Sequence, residues 1–495
     1  MNKYIICLLT IIILAACSPH MPKSTIEAGM KPSVFPDYTD VTIPSNIAPM
    51  NFMIEEKAEK YLTVLSSGTY ETTIKGRKVC ISKSKWDKLK SGKLIIAQVF
   101  CLKDGIWEAY TPFCMTVQDE IDPYISYRVI MPSVECYEGL SIKQRELTSF
   151  REKTIYSNQS VQNAVDGQCI NCHHYRNYTT DNMQFHARQY KGGTILVSDG
   201  ELNKINLKTD STISAGVYPA WHPTHNYIAY STNKTHQAVH SIDHNRVEVA
   251  DEESDLILYD IDRNTVSVIE NDSSQLECFP AWSPDGKTLY YVSAYYDAPF
   301  NSQRRDQVFI NSRNIRYDLY CKPFDPETRT WGETNMLINA AAANKSITLP
   351  RVSPDGRWLL FTMAEYGVFH IWHRDADLWM MDLNNGSIRV LDEINSPEVE
   401  SYHSWSSNGN WIIFSTRRED GAFTRLYIAH LNDDHTFSKP FALPQRDPVF
   451  NKDFLFSYNI PEFMKEPVHI SPRKFASFIS STDATPSIYE PKRGQ

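Results

Sequence analysis

Four times between about Tyr190 and Ile460 the chain sets a polar turn ahead of a short apolar run. The turns are Trp221-His222-Pro223, Ser283-Pro284-Asp285-Gly286, Ser353-Pro354-Asp355-Gly356 and Ser406-Ser407-Asn408-Gly409, and the runs are Tyr227–Ser231, Leu289–Ser293, Leu359–Thr362 and Trp411–Ser415. Pro presets φ near −65° and Gly accepts positive φ, so Pro-Asp-Gly and Asn-Gly make tight turns. Apolar runs bounded by such turns predict strands buried on both faces. A large apolar residue precedes each turn (Trp221, Trp282, Val352, Trp405), and the three indoles are big enough to pack between neighbouring sheets. A second strand follows in every unit: Asp255–Asp260, Asp318–Cys321, Asp377–Asp382 and Arg425–Ile428. One further hairpin, Thr194–Val197 with Lys204–Leu207, comes before the first unit. The aligned Trp and Val positions lie 61, 70 and 53 residues apart. A plain four-stranded unit takes about 40–50. The excess predicts insertions near Thr235–Asn245 and Ala298–Arg316, which cost little in loop closure. Strand repeats of this period predict a β-propeller, whose radial sheets leave only short edges exposed.

Upstream, residues 46–150 predict a separate β-rich module with strands at Lys78–Ile81, Leu94–Phe100, Trp107–Tyr110 and Tyr127–Ile130, and a short helix over Ile142–Phe150. The amino terminus has a different pattern: Lys3, an apolar run from Tyr4 to Leu14, then Ala15-Ala16-Cys17. The run is short for a ~30 Å hydrocarbon core and reads as a secretory signal. From Ser18 to about Ser45 apolar residues are sparse and five prolines occur, which predicts a spacer. The expected divisions are therefore 1–17 signal, 18–45 spacer, 46–150 β-rich module, 151–189 a segment carrying the chemical motif below, 190–463 propeller and 464–495 tail. The 495-residue chain is 42% hydrophobic and 12% aromatic, which marks a globular, mainly all-β body. Its net charge of −9, with no basic block, argues against nucleic acid as a partner.

One motif carries recognisable chemistry, Cys169-Ile170-Asn171-Cys172-His173. CxxCH is the attachment motif of c-type haem: the two thiols reach the two vinyl groups of one porphyrin, and the His meets the iron. This predicts one covalent haem on Cys169 and Cys172, with His173 as proximal iron ligand and His186 or Met183 as distal ligand. The residues also admit a Cys169–Cys172 disulfide, or a zinc site with His173, His174 or His186. Cys80, Cys101, Cys114, Cys136, Cys278 and Cys321 are scattered, as buried thiols or disulfides. No GxSxG, HExxH, P-loop or GxGxxG is present, so a binding protein is expected before an enzyme, with a haem peroxidase as the enzymatic alternative.

Four resemblances sharpen these expectations. Leu14-Ala15-Ala16-Cys17 resembles the bacterial lipobox, which implies that Cys17 is acylated and anchors the chain to a membrane. Ser18 after the acceptor resembles the pattern for outer-membrane delivery, with the periplasmic face expected. Trp282-Ser283-Pro284-Asp285-Gly286-Lys287 resembles the repeats of TolB-like six-bladed propellers, and five clear hairpin groups imply five to six blades over a little more than half of the chain. Asp122–Arg128, Cys169–His173, Phe185–Arg188 and Tyr458–Phe463 together resemble a lipoprotein family common in Bacteroidetes that joins a β module, one CxxCH and a TolB-like propeller. The resemblance implies an envelope binding protein with a protein partner at the propeller face, its haem serving electron transfer or partner binding.

Overall fold

The computed structural model describes residues 21–131, 139–163, 166–299, 301 and 303–491. The signal and Cys17, and also Cys136, lie outside the described residues. Among the described residues no helix is long and apolar enough to cross a membrane. The fold is mostly β and divides into two compact units, one of residues 1–120 with 444–453 and one of 121–443 with 454–495.

The smaller unit is built on a seven-stranded sheet in which Leu94–Lys103 is central, pairing with Lys60–Ser67, Ile106–Ala109 and Phe113–Gln118. The helix Lys83–Lys90 buries Trp86 and Leu89, and the Trp86 indole donates to the Ile47 carbonyl at 2.9 Å. The proline-rich segment is not spacer throughout. Val34–Phe35 and Val41–Pro44 are strands, and Tyr38, Val41 and Ile43 are buried. Alternating apolar residues there face the core despite the prolines.

The larger unit is propeller-like. Six antiparallel four-stranded sheets each begin with an inner strand: Gln168–Arg176, Val217–Trp221, Gln275–Trp282, Ser346–Val352, Glu400–Trp405 and Ser457–Met464. Each inner strand touches the next, and Ser457–Met464 touches Gln168–Arg176, so the sheets form a closed ring. A single parallel pairing, Ser254 with Leu276, also ties the second sheet to the third. The sixth sheet is composite. Its inner strand comes from the end of the chain and pairs with Tyr124–Ile130, followed outward by Ser141–Glu146 and Glu152–Ser157. The boundary between the units therefore falls at Glu120/Ile121, not near 150, because the partner of Tyr124–Ile130 lies more than three hundred residues downstream. In place of the expected helix over Ile142–Phe150 there is a strand, Ser141–Glu146, followed by a turn. Lys143, Gln144, Arg145 and Glu146 favour helix locally, but the Gln144 amide exchanges two hydrogen bonds with the Val468 backbone (3.2 and 2.7 Å) and is buried in the sheet. The expected tail is also structured. The helix Pro472–Ser481 buries Phe475 and Ile479, and Thr485–Pro486 and Ile488–Tyr489 cover the outer edges of the first and second sheets.

Trp221, Trp282 and Trp405 are 4%, 9% and 3% exposed, each inside a cluster shared by adjacent sheets. Two of them make the same hydrogen bond to the preceding inner strand, Trp282 to the Ala220 carbonyl at 3.0 Å and Trp405 to the Arg351 carbonyl at 3.2 Å.

One buried acid gives a pH prediction. Glu277, on the third inner strand, is 3% exposed with Oε2 unpaired, and burial, with Asp255 and Glu270 nearby, pushes its carboxyl up to about 9. The folded protein then keeps a proton that the unfolded chain releases near pH 4.5. This contribution to stability is complete below that pH and is lost as pH rises towards 9. Glu277→Gln is expected to raise stability by about 2–3 kcal/mol at pH 7.5 and to change little at pH 4. Urea unfolding at the two pH values reads the difference; equal shifts would contradict it.

Candidate functional site

Every inner strand carries a bulge, and every bulge holds a non-glycine residue at positive φ: Cys172 (55°), Tyr218 (49°), Phe279 (51°), Leu349 (54°), Tyr402 (45°) and Ile460 (50°). Such conformations cost about 1 kcal/mol or more each and persist where the surroundings impose them. Six in one ring show that closure of the inner strands sets this backbone. They also align the sequence: Cys172-His173-His174-Tyr175 stands with Tyr218-Pro219-Ala220-Trp221, Phe279-Pro280-Ala281-Trp282, Leu349-Pro350-Arg351-Val352, Tyr402-His403-Ser404-Trp405 and Ile460-Pro461-Glu462-Phe463. The Cys-His pair of the motif is thus a member of the sixfold repeat. His173 occupies the slot filled elsewhere by Pro219, Pro280, Pro350, His403 and Pro461.

All six ring residues line a small space of about 30 Å³, together with His173, Arg351 and Glu462. Tyr218, Tyr402 and Ile460 also belong to the wall of a cavity of about 920 Å³. Phe369, Trp372 and Val249 contribute to the apolar part of that wall, and Asn171, Asn233 and Asn459 to its polar part. Cys169 and His186 are on it too.

Covalent haem requires both sulfurs and the His173 ring to converge on one porphyrin. In the structure these groups are on the walls of two adjoining cavities that share Tyr218, Tyr402 and Ile460. Cys169 is on the large cavity, whereas Cys172 and His173 line the small one, whose volume is close to the share of a single water. His173 is 1% exposed and lies beside the Ile460 backbone and Glu462; neither ring nitrogen has a hydrogen bond, and burial pushes its pKa down to about 4. The cause is the strand itself. With one bulge, side chains of the motif leave on different sides, and the Cys172 thiol meets the Tyr218 backbone while His173 turns towards the sixth sheet. His174, next to it, pairs with Glu462 at 2.8 Å.

The two distal-ligand expectations separate. Met183 is fully buried in the core shared by the first and sixth sheets and is on neither cavity wall. His186 is on the large cavity. Its Nδ1 pairs with Thr194 Oγ1 at 2.9 Å, which fixes the ring, and its Nε2 is buried with no partner. Burial lowers its pKa to about 3. Cys169 and Cys172 are unpaired thiols, and among the described residues no cluster of three or more His, Cys, Asp or Glu is placed to hold a metal ion.

Sequence reasoning missed the buried arginines of the large cavity. Arg128 and Arg417 are each 6% exposed with Nε unpaired. No local motif marks them, since one precedes the ring in sequence and the other follows a fifth-sheet strand. The repeat signature at Cys172–Tyr175 and Ile460–Phe463 was in principle visible, through an aromatic or aliphatic residue followed by Pro or His.

No protein-family model matches the chain, and no curated protein matches it. Among solved structures the chain is similar to an apocarotenoid oxygenase from Synechocystis (11% identity, 86% of this chain and 95% of that one, TM-score 0.39). It is also similar to the tricorn protease (12%, 71% and 34%, TM-score 0.35) and to an oligogalacturonate lyase in complex with manganese (13%, 82% and 99%, TM-score 0.33). These likenesses carry no residue-level correspondence.

Proposed function

We propose that this protein is a lipid-anchored binding protein of the bacterial envelope, held by acylated Cys17 at the periplasmic face of the outer membrane. Its larger unit is a six-bladed TolB-like propeller, and its ligand enters the 920 Å³ cavity beside the ring of inner strands. The observation that carries this reading is the cavity: it is of the size that small-molecule sites have, and its wall combines apolar and aromatic surface with polar and cationic groups.

A second reading keeps covalent haem on Cys169 and Cys172 with His173 as its proximal ligand and His186, rather than Met183, as the distal one. The unpaired Nε2 of His186 on the same wall as Cys169 favours it, because an imidazole held by its other nitrogen is the usual form of a metal-binding histidine. Haem would supply a one-electron couple there, and the propeller face would receive a protein partner.

Mass spectrometry of the protein taken from its own envelope separates these claims. Acyl groups on Cys17 and any haem on Cys169 and Cys172 persist under denaturing conditions, while a cavity ligand is retained only under native ones. An unmodified Cys17 defeats the anchor. Absence of covalent haem in cells with the attachment machinery defeats the second reading and leaves the first.

A further inference from the structure

We infer that the large cavity is built for an organic anion with an apolar body, a carboxylate or sulfonate carried on a ring or chain, whose charge is taken by Arg128 and Arg417. This rests on the cavity being the ligand site. Among the described residues three arginines, Arg128, Arg188 and Arg417, belong to its wall, and no aspartate or glutamate does. A buried cation without a close counter-ion is costly, yet among the described residues neither Arg128 nor Arg417 has a carboxylate in contact, Glu398 and Asp420 acting on Arg417 only from further off, and the Nε of each arginine is buried with no partner. The Arg128 guanidinium donates through one terminal nitrogen to Asn171 Oδ1, which orients it and leaves Nε free. The Arg417 guanidinium lies over the Trp372 ring at 4.0 Å. Stacking holds the group flat and leaves its edge available for a bidentate contact. Burial lowers the Arg417 pKa only to about 10, so the group is charged at neutral pH.

The surrounding wall sets the rest of the ligand. Phe369, Ile371, Trp372, Tyr218 and Tyr402 offer apolar and aromatic surface, which a free inorganic anion would leave unfilled. An anion on an apolar body satisfies both parts of the wall. A neutral molecule of the same shape would leave two buried guanidinium groups uncompensated.

The test uses the mature chain from Ser18 made without haem attachment, and two dyes that share an N-phenylnaphthylamine body. One, 8-anilinonaphthalene-1-sulfonate, carries a sulfonate; the other, N-phenyl-1-naphthylamine, is neutral. The sulfonate dye is expected to bind once per chain and at least about tenfold more tightly than the neutral one. Arg417→Met and Arg128→Gln are each expected to weaken the sulfonate dye about tenfold and the neutral dye less than about twofold, with Arg417→Lys recovering part of the loss. Unchanged neutral-dye binding shows that a variant keeps its cavity. Equal binding of the two dyes, or arginine variants that leave the sulfonate dye unaffected, overturns the anion assignment while the cavity remains a ligand site. Failure of both dyes to bind overturns the cavity reading itself.

Discussion

A chain ended at Phe456 is expected to lose its cooperative fold, whereas one ended at Lys465 keeps it. The difference is the strand Ser457–Met464, which is the inner strand of the sixth sheet and touches both neighbours in the ring. Removing it strips the ladder partners from Tyr124–Ile130 and leaves those backbone groups facing the interior. It also removes Tyr458, Phe463 and Met464, all 3% exposed or less, and the Tyr458 carbonyl that accepts from Thr424 Oγ1 at 2.6 Å. Each unpaired buried group costs about 1–3 kcal/mol and each large apolar side chain about 2–5. Several such losses together reach the whole stability of a typical domain, about 5–15 kcal/mol. Ending at Lys465 removes the helix Pro472–Ser481 with its buried Phe475 and Ile479, the Val468 partner of Gln144 and the two edge strands, so it lowers stability, but it leaves the ring closed. Near-ultraviolet circular dichroism and limited proteolysis compare the two chains. A Phe456-terminated chain that melts as one sharp transition near the full-length temperature would refute the closure role.

Trp405→Ala is expected to cost about 3–5 kcal/mol, the range for large aromatic-to-Ala changes in cores. The indole is 3% exposed and fills the interface of the fourth and fifth sheets among Leu360, Met380, Ile412 and Phe414. Its Nε1 donates to Arg351 O, so the variant also leaves that carbonyl without its donor. Trp405→Phe keeps most of the contact area and is expected to recover more than half of the loss. Trp221→Ala is expected at the low end of the range, because the Trp221 Nε1 is buried with no acceptor and its own position already carries that penalty. Urea midpoints at constant slope read these differences. A loss below about 1 kcal/mol for Trp405→Ala would mean that adjacent sheets do not depend on this contact.

Several elements could be read without any structure. Turn chemistry at 283–286, 353–356 and 406–409 is local, so Pro-Asp-Gly and Asn-Gly announce their hairpins directly. The indoles at 221, 282 and 405 announce burial by size and by repetition. The signal pattern at the amino terminus is likewise a property of consecutive residues.

Other features depend on residues far apart in sequence, and the tertiary structure alone decided them. Tyr124–Ile130 looks like part of a leading module because its partner is at 457–464. Ser141–Glu146 has helix-forming residues, but its backbone is claimed by strands on both sides. Spacing in CxxCH predicts three groups on one porphyrin; which cavity wall each one joins, Cys169 with His186 on the large one and Cys172 with His173 on the small one, follows from the inner-strand bulge at Cys172. Arg128 and Arg417 carry no local signal at all. What the sequence determined by itself is the repeated hairpins and the buried indoles, since each follows from neighbouring residues. What tertiary structure decided is which distant strands close the ring and which side chains then share a cavity, because ring closure imposes the bulges that aim them.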